Sequence, residues 1–202
     1  PKVAIIPTGG ELVPIGSRSI RPGEAYEING LMAELYIKRW GGEAHKTEIV
    51  PDDALLIREA IKANLDADLI IIIGGTSVGE KDYAPSVLAE MGELIVHGVR
   101  LQPGKPTAFG SVDGTPIVCL PGYPVAALFD LYLFVRPALK RMSHLKDDLP
   151  KTSARLARKI PSRPGYLSMV RVAIKNGEAE PIMVSGAGIL SSVARADRFV
   201  IV

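Results

Sequence analysis

From Val3 to Met142, unbroken apolar runs alternate with stretches in which apolar residues recur every third or fourth position. Val3–Pro7 is predicted to be a buried strand. Asn29 is placed as the cap of a helix over Gly30–Trp40, with Leu31, Leu35 and Ile37 apolar and Gly41-Gly42 ending it. Glu43–Val50 reads as a second strand. Asp52 or Asp53 then caps a helix over Ala54–Asn64, in which Leu56, Ile57, Ala60 and Ile61 keep helical spacing. Asp68–Ile73 is the most hydrophobic segment, and its run of isoleucines without polar alternation is the pattern of a strand covered on both faces. A short helix near Pro85–Met91, a strand near Leu94–Leu101 and a hairpin over Thr107–Leu120 through Asp113-Gly114 follow. A long helix over Pro124–Met142, with Ala127, Leu128, Leu131, Phe134 and Val135 on one face, closes this part. The order predicts an α/β class: a three-layer αβα domain on a mostly parallel sheet, which binds ligands beyond the carboxyl ends of its strands.

The pattern changes at the polar stretch Ser143–Pro150, read as a linker. Beyond it Ala154–Ile160, Leu167–Ile174, Ala179–Val184 and Phe199–Val202 read as short strands, with a hairpin at Asn176-Gly177. Residues 1–149 are therefore expected to form the α/β domain and residues 150–202 a small all-β domain that leans on it for stability.

Composition narrows the function. With 47% hydrophobic and 23% charged residues among 202, the chain has a globular make-up, and a formal net charge of +2 gives no reason to expect a nucleic-acid partner. The charge is uneven: from Pro150 onward nine basic residues face three acidic ones, against fifteen and nineteen before it, an asymmetry suited to an anion at the junction. The single cysteine, Cys119, lies in the apolar Pro116–Leu120 and reads as a buried strand thiol, so a disulfide framework is excluded and a reducing, cytoplasmic setting is expected. No apolar run approaches the length of a membrane span, and no signal peptide is expected, since the chain opens directly on a strand as one cut at a domain boundary would.

Candidate chemistry gathers after the strands. Pro7-Thr-Gly-Gly-Glu-Leu12, Gly74-Gly-Thr-Ser-Val-Gly79 and Leu120-Pro-Gly-Tyr-Pro124 would open on one sheet edge. Their glycines, with the hydroxyls of Thr8, Thr76 and Ser77, suit a phosphate. Glu11, Asp52, Asp53 and Asp82 follow strand ends, and two or three of them would hold Mg²⁺ against phosphate oxygens. One of Asp52 and Asp53 is expected to serve as the helix cap. Lys105 is flanked by restrictive prolines in Pro103-Gly-Lys-Pro106 and reads as a positioned cation. Gly75–Gly79 matches the G-x-S-x-G of a hydrolase elbow, but the next helix is predicted only around Pro85, which argues against it. No Walker G-K-[ST] occurs, and the histidines are too dispersed for a zinc site.

Taken in order, Thr8-Gly-Gly-Glu-Leu, Tyr26-Glu-Ile-Asn29, Val50-Pro-Asp-Asp53, Gly74–Gly79 with Asp82-Tyr83, Pro103–Gly110, Leu120–Pro124 and Val184–Ser192 with Ala194–Asp197 resemble the molybdopterin molybdotransferase family, which includes the gephyrin carboxyl-terminal region. The resemblance implies insertion of molybdate into adenylated molybdopterin with release of AMP, a divalent cation (Mg²⁺), and homodimeric assembly. It implies catalytic roles for Glu11, Asp82 and Lys105 and metal ligands among Asp52, Asp53 and Asp82. It further implies ligand contacts from Thr8, Gly9, Gly74, Gly75, Thr76, Ser77, Gly79, Pro121, Gly122 and Pro124. This sequence departs from the family's pattern at Gly10 (usually Asp), Gln102 (usually Lys) and Tyr123 (usually Asn). The family's amino-terminal domains are not in this sequence, so an isolated segment of this kind is expected not to turn over alone. The molybdopterin adenylyltransferase is a possible protein partner. The alternatives are a non-catalytic pterin- or oxyanion-binding module or scaffold, and an adenylyltransferase-type enzyme.

Overall fold

The computed structural model describes residues 1–75, 82–183 and 186–202. An α/β domain is followed by a β-rich domain, as the apolar pattern predicts. The main sheet contains β1 (Lys2–Pro7), β4 (Glu43–Lys46), β5 (Leu69–Ile73), β6 (Glu93–His97), β8 (Ala108–Val112) and β9 (Thr115–Leu120), in the order β4-β1-β5-β9-β8-β6. The β4, β1, β5 and β9 pairings are parallel; β8 and β6 join antiparallel.

Side chains alternate across a strand, so β5 splits its five buried residues between two cores. Leu69, Ile71 and Ile73 face Ala33, Ile37 and Trp40 of one helical layer, with Ala127, Leu131 and Val135 beside them. Ile70 and Ile72 face Ile57, Ile61, Val87 and Leu88 of the other layer. The layers are α1 (Asn29–Arg39), with α4 (Pro124–Asp130) and α5 (Arg136–Met142), against α2 (Ala54–Lys62) and α3 (Tyr83–Met91). A π-helical turn, Leu131–Val135, joins α4 to α5. It falls just ahead of Pro137, which has no amide proton to give to the preceding turn. Cys119 is fully buried in β9, and burial pushes its thiol up to about 12.

Several sequence expectations are corrected. Asn29 is the first residue of α1 and Ile28 occupies the cap position; the Asn29 side chain is used elsewhere. Leu31 and Leu35, assigned to the apolar side, are 39% and 61% exposed, and α1 buries Gly30, Ala33 and Ile37 instead. The choice between Asp52 and Asp53 falls on Asp53, whose Oδ1 accepts from the amides of Leu55 (2.8 Å) and Leu56 (3.1 Å). The α3 helix begins at Tyr83, ahead of Pro85, with Asp82 at its cap position. The single strand expected over Leu94–Leu101 breaks at Gly98, where φ is +87°. Its end forms β7 (Leu101–Gln102), which leaves the main sheet. Two short strands not foreseen, β2 (Leu12–Val13) and β3 (Ala25–Tyr26), pair in parallel.

The second sheet has β10 (Arg155–Leu156), β11 (Leu167–Lys175), β12 (Glu178–Met183) and β13 (Arg198–Ile201), and β7 pairs with β11. The Asp113-Gly114 and Asn176-Gly177 hairpins carry positive φ at both residues, which matches the right-handed twist of their strands. A shared core of Leu101, Val125, Phe129 and Met169 fastens the two domains, and the Phe129 and Phe199 rings lie 6.0 Å apart. A short helix, α6 (Ser191–Ala194), brings Val193 onto the same cluster. Both edges of the main sheet are guarded: β4 carries Glu43, His45 and Lys46, and β6 has an irregular register between Leu94 and Val96 and ends on His97. Among the described residues, no helix is long and apolar enough to cross a membrane.

Phe129→Ala is expected to cost about 3–5 kcal/mol, because it removes a buried ring from the joint between the domains. Urea denaturation followed at Trp40 and by far-UV dichroism checks this, with a cost under about 1 kcal/mol counting against a shared core.

Candidate functional site

Chain order decides where the site lies. β1 is followed through α1 by β4 on one side of it, and β4 through α2 by β5 on the other. The chain therefore reverses direction at the β1/β5 pair, where helices turn away to opposite faces and leave a crevice beyond the carboxyl ends. The turns after β1, β5 and β9 meet there. The Thr8 amide donates to the Ile73 carbonyl at 2.8 Å, and the Gly74 amide to the Leu120 carbonyl at 3.0 Å. They wall a cavity of 850 Å³ lined by Thr8, Gly9, Glu11, Asp52, Gly74, Gly75, Pro121, Gly122 and Pro124, with further residues.

The glycines are required by contact. A Cβ on Gly74 would lie 2.2 Å from the Thr8 carbonyl oxygen, and its φ of +101° disfavours any side chain. Gly9 is at φ +154°, and a Cβ there would meet Glu11 Oε2 at 2.8 Å. Gly10, where the resembling family usually has Asp, has nothing within 4 Å of a built Cβ.

The carboxylates are distributed unequally. Glu11 and Asp52 line the cavity, and Asp52 Oδ2 accepts from the Gly10 amide at 3.3 Å. Asp53 is committed to its helix cap and is not on the cavity wall. Asp82 also lies off the wall: its Oδ2 stands 2.8 Å from His97 Nε2, and its Oδ1 is buried with no hydrogen-bond partner among the described residues. Among those residues no three His, Cys, Asp or Glu side chains come together as a ligand set. Lys105 is exposed at the rim, while its neighbour Pro106 reaches the wall. Thr76, Ser77 and Gly79 lie outside the described residues.

Four further residues of the wall had no role assigned from sequence. Glu27, buried, accepts from the Gly30 amide at 2.5 Å and pairs with Lys46 at 3.1 Å, so its charge is met on both oxygens. Asn29 Nδ2 donates to the Gly122 carbonyl at 2.7 Å, tying the turn after β9 to α1. Tyr26 is held by a hydrogen bond from its hydroxyl to the Arg18 carbonyl (3.0 Å), and Arg18 in turn forks onto Glu24 at 2.7 Å, holding that carboxyl down to about 2. Gly188 belongs to the β-rich domain, and next to it the Ala187 carbonyl accepts from the Val125 amide at the start of α4 (2.8 Å). The signal for Glu27 and Asn29 was the Tyr26–Asn29 motif, and Gly188 lies within the Val184–Ser192 motif.

A crevice at a chain-reversal point, built of glycine turns and lined by Glu11, Glu27 and Asp52, is where an open α/β domain binds its ligand. The comparisons agree with that class. Residues 4–141 match the family described as a probable molybdopterin binding domain, and residues 153–202 match the MoeA C-terminal region, domain IV. The chain belongs to the MoeA family of molybdopterin biosynthesis proteins. It is 35% identical to a putative molybdopterin biosynthesis protein of Methanocaldococcus jannaschii over 98% of this chain and 50% of that protein. It is 38% identical to molybdopterin molybdenumtransferase 2 of Mycobacterium tuberculosis over 92% of this chain and 47% of that one. The solved MoeA protein of Pyrococcus horikoshii superposes with a TM-score of 0.87 at 36% identity, covering all of this chain and 50% of its own. The chain thus spans about half the length of these relatives.

Adjacent glycines give a contrast. Gly74→Ala must displace the Thr8 carbonyl and hold a left-handed backbone, at a cost of about 1–3 kcal/mol or more. Gly10→Ala enters open space and should change stability by no more than about 0.5 kcal/mol. Thermal melts of both variants check this, and equal melting points would contradict the close approach of β1 and β5.

Proposed function

We propose that this chain is the molybdopterin-binding and carboxyl-terminal portion of a molybdopterin molybdenumtransferase, acting in molybdenum cofactor biosynthesis by inserting molybdate into adenylated molybdopterin with release of AMP. The observation that carries the reading is the convergence of three turns and the carboxylates of Glu11 and Asp52, with the paired Glu27 beside them, on one cavity, in a chain similar over nearly its whole length to proteins of that name. The proposal extends to a domain division after residue 149, a cytoplasmic homodimer, and further domains of the same protein that complete the site. Handover from the adenylyltransferase belongs to the same proposal.

Each residue then has a task. The glycine turns, with Thr8 beside them, let the phosphates approach the backbone closely, with Pro121, Gly122 and Pro124 shaping the wall across from them. Glu27 is already neutralised by Lys46 and supports the wall without binding ligand. Glu11 and Asp52 are hard oxygen donors on the wall and would hold Mg²⁺, which takes one or two carboxylates and completes its shell with phosphate and water, while Asp82, off the wall beside His97, would act from the adjoining segment. When bound, that ion neutralises phosphate charge and polarises the bond to AMP. Lys105 offsets the charge of phosphate or molybdate at the rim, and Tyr123 and Gly188 cover one side of the cavity from water. A non-catalytic pterin- or oxyanion-binding role is the second reading, favoured by Gly10 in place of a carboxylate.

The deciding experiment is molybdate-dependent AMP release from adenylated molybdopterin by the full-length protein. Release is expected with the wild type and should be largely lost in Asp82→Asn with the fold retained. Tight pterin binding without any AMP would establish the binding module instead. Lys105→Ala should weaken binding of the phosphorylated pterin or molybdate by about 1.5–3 kcal/mol with little change in stability, as calorimetry would show. Equal affinities would return Lys105 to a surface role.

A further inference from the structure

The turn Pro103–Pro106 is fastened from beneath by a carboxyl group that has no part in the site as described. Asp130, at the end of α4, is fully buried. Thr107 Oγ1 stands 2.7 Å from its Oδ2 and also 2.7 Å from the Gly104 carbonyl oxygen. A threonine hydroxyl carries one proton, whereas a carbonyl and an ionised carboxylate can only accept. Both contacts are hydrogen bonds only if Asp130 brings the second proton. Asp130 then donates to Thr107 Oγ1, which donates to Gly104. The fit leaves no room for water or a counter-ion on the turn side: a Cβ on Gly104 would fall 2.4 Å from Asp130 Oδ1, and that oxygen has no hydrogen-bond partner among the described residues.

We propose that Asp130 is a neutral carboxylic acid at physiological pH, and that its proton, donated to Thr107, forms the latch positioning the Pro103–Pro106 turn, and with it Lys105 and Pro106, beside the cavity. The charged groups on the surrounding elements are engaged elsewhere. Lys105 is exposed, Arg136 pairs with Asp147 at 2.5 Å, and Arg171 of β11 donates to the Gly186 carbonyl and lies over the Phe129 ring. Burial is therefore the dominant influence and pushes the Asp130 carboxyl up to about 8, with the Thr107 hydroxyl opposing it more weakly. The folded state holds a proton that the unfolded chain releases near 4, so the latch is complete at acid and neutral pH and is lost as pH rises through about 8. Above that, two acceptors and a negative charge share one hydroxyl proton, and the turn loses its anchor. Asp130 is a positioning residue, acting on Lys105 through the turn. That Lys105 serves a ligand rests on the function proposed above, but the latch does not.

Isotope-edited infrared spectroscopy of the full-length protein, as the difference between wild type and Asp130→Asn, reads the proton directly. A protonated carboxyl band at about pH 7 that gives way to carboxylate by about pH 9 is expected, and carboxylate alone at about pH 7 in the folded protein overturns the proposal. Hydrogen exchange gives a second reading at the Thr107 amide, which donates to the Gly104 carbonyl. Its protection should fall about tenfold one pH unit above half-protonation in wild type, and stay level in Asp130→Asn, whose amide can donate without titrating. If Asp130→Asn does not fold, the wild-type exchange profile decides alone, and protection unchanged from about pH 7 to about pH 9 refutes the latch. With active protein, KM for molybdate should climb over the same interval while kcat holds, and Asp130→Asn should abolish the climb. Absence of any AMP release would fail the functional reading but leave the infrared and exchange results to judge Asp130.

Discussion

Everything in the α/β domain follows from one requirement: β5 has no face that can meet water. Its five residues are all buried, so helices must cover the sheet on both sides. A single chain can cover both sides only by changing the direction in which successive strands are added, and the place where it changes cannot be roofed by either helix. The cavity is thus a by-product of burying Leu69–Ile73. Burial also fixes how closely the strands end together, because β1 and β5 are paired up to Pro7 and Ile73. The next residues must pass with the Thr8 carbonyl almost against Gly74, and glycine is the residue that allows it.

Two buried carboxyls show different solutions to the same desolvation problem. Glu27 meets Lys46 and the Gly30 amide, which ties α1 to β4 at the cavity wall. Asp130 pairs with no cation among the described residues and resolves the conflict by holding its proton. The proton on Asp130 makes the rim of the same cavity responsive to pH.

Where neighbouring residues settle the outcome, the sequence was readable. The isoleucine run, the Asp-Gly and Asn-Gly hairpins and a cap at Asp52 or Asp53 are decided within a few positions by burial, twist and a short side-chain hydrogen bond, the structure choosing Asp53. The misreadings share a distant cause. Asn29 looks like a cap until its amide finds the Gly122 carbonyl, ninety-three positions away. Leu31 and Leu35 fit the helical period, yet the sheet lies on the side of Ala33 and Ile37. Leu94–Leu101 is apolar enough for one strand, but Leu101 is claimed by β11 and the core around Phe129. In the site, the glycine turns were visible because their chemistry is local. The engagement of Asp82 with His97 and the arrival of Gly188 from the other domain are products of the assembled fold.

The guarded edges of the main sheet bear on how copies of this chain can meet. An exposed strand with free amides and carbonyls invites another chain to add to it. Here one edge is a four-residue strand whose outward positions are Glu43 and His45, and the other is distorted in register before it ends on His97. Neither offers a regular ladder for continuation. A copy adding to the main sheet would meet charge and a short strand at one edge and a broken register at the other, so continuation of the sheet is disfavoured on both sides.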